Sequence, residues 1–93
     1  MTGVSDDPAG RLRRLRWQCR RGMLELDLLL RGFVDQGYAQ LDAEGQATFE
    51  RLLRLPDPVI HDWLMGRGEP SDPLLARLIG QILETARGRP PRI

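Results

Sequence analysis

Apolar side chains recur at intervals of three and four along most of the chain, the period of an amphipathic α-helix, and no stretch sustains the alternation of a strand. A first helix is expected from about Gly10 to Arg20. Leu12, Leu15 and Cys19 form its stripe, arginines fill the positions between, and Trp17 lies off the stripe. Gly22 interrupts the pattern, and a second helix follows to about Gln36. With each residue turned about 100° further round the axis, Met23, Leu26, Leu30, Phe33 and Val34 share a core face. Arg21, Glu25 and Leu28 gather on the opposite face, and Gly37 and Tyr38 end the helix.

Three further helices announce themselves by their starts. Asp42 is a good N-cap residue with Glu44 in the following turn, and Phe49, Leu52 and Leu53 form the stripe behind it. Asp57-Pro58 and Asp72-Pro73 each place an N-cap candidate before a proline suited to the first helical position. Ile60, Trp63 and Leu64 point inward from the fourth helix, which Gly66 to Gly68 stop. Leu74, Leu75, Leu78, Ile79, Ile82 and Leu83 carry the fifth, which Gly88 stops. The expected fold is all-α, a compact bundle of five short helices in one domain over 10–88. A flexible arm is expected over 1–9 and a flexible tail over 89–93.

Composition narrows the function. The chain has 93 residues, and a domain of this size has little room for a deep pocket and a catalytic shell together. All 14 basic residues are arginine, but 13 acidic residues bring the net charge to +1. That balance lacks the bulk positive field of a nucleic-acid binder, although Arg11, Arg13, Arg14, Arg16, Arg20 and Arg21 make such a role worth testing. One cysteine, Cys19, forms no internal disulfide, and no Cys/His cluster suggests a metal. The longest apolar run, Leu28-Leu29-Leu30, is far below the roughly 20 residues of a membrane span. The acidic start resembles neither a signal nor a transit peptide, so a bacterial cytoplasmic protein is expected.

The catalytic candidates are weak. His61 is the sole histidine and has no nucleophile pattern around it, and Cys19 lies on an apolar stripe. Gly66-Arg67-Gly68 lacks the spacing of a phosphate loop. The unusual segment is Trp17 to Asp27, where a glycine separates two amphipathic helices. Arg21 and Glu25, four apart, are placed to form a pair if the helix begins early enough. It reads either as a helix junction with a solvated ion pair or as a docking patch for a protein.

The run Cys19-Arg20-Arg21-Gly22-Met23-Leu24-Glu25-Leu26-Asp27 resembles the signature of the SdhE family of bacterial succinate dehydrogenase flavinylation factors. That family carries an Arg-Gly-x-x-Glu motif, matched here by Arg21, Gly22 and Glu25. Trp17, Phe33, Tyr38, Phe49 with Leu52-Leu53, Asp57-Pro58, Trp63-Leu64-Met65 and Gly68 extend the resemblance over roughly Leu15 to Leu83.

The resemblance implies a non-enzymatic assembly factor. Its motif surface would dock on the flavoprotein subunit of succinate dehydrogenase, near the FAD domain and a mobile capping domain. It would promote a covalent bond between FAD and a histidine of that partner, and it would hold no cofactor stably itself. The flavoprotein of fumarate reductase is a further candidate partner. On this expectation Trp17, Arg20, Arg21, Gly22, Met23, Glu25 and Leu28 form the partner-binding site. Gly22 would permit close backbone approach, the arginines would offer planar donors, and Glu25 would accept from the partner or orient Arg21. An antitoxin-like or other protein-binding role is the alternative.

Overall fold

The computed structural model describes residues 8–88; residues 1–7 of the expected arm and the expected tail over 89–93 lie outside the described residues, whereas Pro8 and Ala9, expected in the arm, are helical. Five α-helices follow one another: α1 (Pro8–Gln18), α2 (Leu24–Gln36), α3 (Ala43–Leu52), α4 (Asp57–Leu64) and α5 (Pro73–Ala86). A single 3₁₀ turn, Tyr38–Gln40, joins α2 to α3. No strand occurs among the described residues. The five-helix bundle expected from periodicity is the fold, with α1 opening at Pro8, two residues before the expected start.

The stripes close on one another. Leu15 and Cys19 from α1 and the adjoining turn meet Leu26, Leu30, Phe33 and Val34 of α2 in one core. Phe49, Leu52, Ile60, Leu64, Leu78, Ile79 and Ile82 complete it from α3, α4 and α5. Its aromatic centre is Phe49, whose ring lies 5.4 Å from Phe33 and 5.6 Å from Tyr38, both tilted rather than stacked face to face. Tyr38 therefore does more than end a helix. Its ring is buried in the 3₁₀ turn and its hydroxyl donates to Glu50 at 2.9 Å. Burial, then the contact with Glu50, pushes the phenol up to about 12.

Two of the three expected caps form. The Asp42 carboxylate accepts from Gly45 N at 2.8 Å, and that of Asp72 accepts from Leu74 N at 2.8 Å. The third differs. Pro56 occupies the cap position of α4 and Asp57 is its first helical residue. Asp57 remains favourably placed in the first turn, but its carboxylate is engaged elsewhere, by Arg21.

Candidate functional site

The segment between α1 and α2 is built around a glycine. Gly22 has φ +85°, a left-handed conformation that a side chain tolerates poorly. A Cβ there would meet no atom of the described residues within 4 Å, so they leave the space in front of Gly22 open. The turn is held from within α2. The Asp27 carboxylate accepts from Arg21 N at 2.8 Å and from Gly22 N at 3.3 Å. Met23 precedes the first residue of α2 and supplies no side-chain cap, so Asp27 satisfies donors that would otherwise be left at the turn.

Because α2 starts only at Leu24, the helical phase assigned to Arg21 does not apply to it. Arg21 lies in the turn, and its side chain folds inward instead of standing on the face opposite the core. Its Nη1 donates to Asp57 Oδ1 at 2.9 Å and its Nη2 donates to the Leu53 carbonyl. The guanidinium side chain is only 14% exposed. The expected Arg21–Glu25 pair is thereby corrected: each residue reaches toward α4. Glu25 Oε1 lies 3.6 Å from Nε2 of His61, an ion pair when that imidazole is protonated. Arg21 to Glu25 and Asp57 to His61 are both steps of four, so the contacts form two successive polar rungs between the motif and α4. Arg21 acts as an internal clasp, whereas the Glu25 carboxylate, 71% exposed, remains available to a partner.

Beside these rungs stands an apolar ridge. Leu24 is 74% exposed and Leu28 62%, one helical turn apart, with Met65 at the end of α4 also exposed. Of the expected site residues, Gly22, Glu25 and Leu28 are on the open surface. Met23 is half-buried against the core. Trp17 is 68% exposed and carries the Arg20 guanidinium 4.9 Å from its ring centre. Leu24, Asp27, His61 and Met65 were not among the expected site residues. Leu24 had a readable signal, since it sits four residues before Leu28 on the face opposite the core stripe.

The chemistry available here is recognition. The Cys19 thiol is buried, and that burial pushes it up to about 12, so the thiolate needed of a nucleophile does not form near neutral pH. Three of the arginines from the basic segment are engaged within the chain: Arg16 of α1 pairs with Asp35 at 2.7 Å, and in the turn that follows Arg21 pairs with Asp57 and Arg20 lies over Trp17.

Comparison with known proteins decides the family. The model of the family described as "Flavinator of succinate dehydrogenase" matches residues 13–86. The chain belongs to that family. It is 52% identical over 73 residues to the "FAD assembly factor SdhE" of Pseudomonas aeruginosa, covering 78% of this chain and 87% of that protein. The protein of the same name from Idiomarina loihiensis is 48% identical over 75 residues, covering 81% of this chain and 83% of that one. The one from Shewanella oneidensis is 49% identical over 76, covering 82% and 88%. The flavinator family match spans every residue of the site just described, from Trp17 through Leu28 to Met65. The resemblance carried by Arg21, Gly22 and Glu25 thus extends to the whole domain. No helix among the described residues is long and apolar enough to cross a membrane.

Proposed function

We propose that this chain is an assembly factor that binds the flavoprotein subunit of succinate dehydrogenase and promotes covalent attachment of FAD to a histidine of that subunit. The observation that carries the reading is the open ridge beside Gly22. Within the segment that matches the flavinator family, Leu24 and Leu28 stand exposed, rimmed by Glu25, and nothing among the described residues covers them. Apolar groups with a polar rim suit a protein partner.

The factor acts without a catalytic group of its own. The bond joins flavin and partner, and holding those two in a reactive arrangement lowers the barrier by reducing the freedom they must lose. The buried thiol of Cys19, and a His61 with no nucleophile beside it, support a role in positioning. So does the short apolar ridge, which offers a docking face rather than an enclosed cofactor pocket. The chain itself holds no FAD stably. It works in the bacterial cytoplasm, and the flavoprotein of fumarate reductase is a second partner for the same face.

Covalent flavin on the succinate dehydrogenase flavoprotein, read by in-gel fluorescence under denaturing conditions, tests this in cells lacking the factor. Wild type restores the signal. Gly22→Ala and Gly22→Arg share the backbone strain of about 1–2 kcal/mol. Only arginine fills the open space, so alanine restores fluorescence and arginine does not. Equal restoration by a folded Gly22→Arg variant would mean that the partner does not cover this turn.

A further inference from the structure

We propose that a cleft formed by Trp17, Arg20 and Arg54 binds an acidic segment of the flavoprotein, as a second half of the docking surface. The inference rests on the docking function proposed above. The cleft encloses about 370 Å³ between the end of α1 and the α3–α4 turn, with Leu53 and Arg21 also in its wall. Three guanidinium groups line it, and they are not equivalent. Arg21 is neutralised by Asp57. Arg20 and Arg54 have no carboxylate partner among the described residues. Arg51, on the last turn of α3 and three residues before Arg54, is paired with Asp72 at 2.8 Å. Glu50 is the carboxylate in the cleft wall, and it accepts from the Tyr38 hydroxyl.

The cleft therefore presents two planar cations without an ion-pair partner, against the single negative charge of Glu50, beside an exposed indole. Arg20 already lies over Trp17, 4.9 Å from its ring centre, so less of its freedom is lost when a carboxylate arrives. The indole is 68% exposed, which leaves apolar surface for a flat group of the same segment. Position adds to charge. Arg21 lines the cleft and also begins the Gly22 turn, so a partner covering Gly22 and the Leu24–Leu28 ridge reaches the cleft across one residue. A small cleft in a chain of net charge +1 fits a short acidic peptide and not a nucleic-acid backbone, which needs an extended basic track.

The test is the affinity of the purified chain for the flavoprotein subunit at several salt concentrations. Arg54→Glu should weaken binding about tenfold or more and flatten its salt dependence, whereas Arg54→Lys, which keeps the charge, should stay within about threefold. Circular dichroism melting should be unchanged for both, because Arg54 is exposed. Wild-type affinity and salt dependence in both Arg54→Glu and Arg20→Glu would overturn the cleft while leaving the Gly22 surface standing. No binding by the wild-type chain would overturn the docking function and the cleft together. Inorganic pyrophosphate is titrated into the chain alone. Saturable binding that Arg54→Glu abolishes would replace the acidic peptide with a phosphate-bearing ligand.

Discussion

The two ends of α2 carry apolar side chains in comparable supply and put them to opposite uses. Toward the C-terminus Leu30, Phe33 and Val34 are sealed against α3 and α5, around the ring of Phe49. Toward the N-terminus Leu24 and Leu28 stand in water, and the contacts that organise the region are polar: Asp27 to the turn, Arg21 to Asp57, Glu25 to His61. Burial supplies the driving force for folding at one end. At the other, hydrogen bonds fix a shape whose apolar groups are left for another molecule. The small domain can keep such a ridge exposed because its stability is drawn from elsewhere.

That division is open to attack from either side. The largest effect is expected from Phe49→Ala. It removes a fully buried ring from the aromatic centre and should cost about 3–5 kcal/mol in chemical denaturation. This is much of the total stability of about 5–15 kcal/mol typical of a domain. A loss below about 1 kcal/mol would mean that the α2–α3–α5 side is not the stabilising half.

Arg21→Ala should have an intermediate effect, about 1–3 kcal/mol, since the clasp is partly buried and one of its acceptors is a backbone carbonyl. A double-mutant cycle with Asp57→Ala measures the pair itself. Additive losses would show that Arg21 and Asp57 do not act as a clasp and would free Arg21 for the partner.

The smallest effect at neutral pH concerns Cys19, which lies where the two regions meet. Its folded-state value is raised to about 12 from an ordinary 9.0 by burial. The folded chain therefore holds a proton that the unfolded chain releases. This contribution to stability is complete below pH 9 and declines as the pH rises toward 12. Tyr38, also raised to about 12, acts in the same direction. Urea unfolding of Cys19→Ala between pH 8 and pH 12 should show a shallower decline than wild type, with the Tyr38 contribution remaining. Identical slopes would remove the buried thiol from the account.

Much of this was readable in advance. The stripes of α2, α3 and α5 predicted their buried apolar residues, because periodicity records which face is dry, but not the buried Thr48 and Thr85. Asp42 and Asp72 were read as caps and act as caps, since a cap is a bond within three residues. Asp57 showed the same Asp-Pro signal and was misread, because its carboxylate had a distant competitor in Arg21. The site was legible in part. Gly22, Glu25 and Leu28 are on the surface as expected, and Trp17 with Arg20 is exposed beside them. Arg21 was placed by helical phase in a segment that is a turn, and His61 was set aside for want of neighbours that only folding supplies.

By itself the sequence determined the helices, their stops, the apolar faces and the Arg-Gly-x-x-Glu motif, all of which depend on residues within a few positions of one another. Tertiary structure alone decided what the motif's charges do. Arg21 meets Asp57 across 36 residues and Leu53 across 32, and Arg54 reaches the cleft of Trp17 from a separate helix end. Spacing along a chain cannot set such pairings, because they exist only once the apolar stripes have closed and brought the α3–α4 turn against the α1–α2 turn.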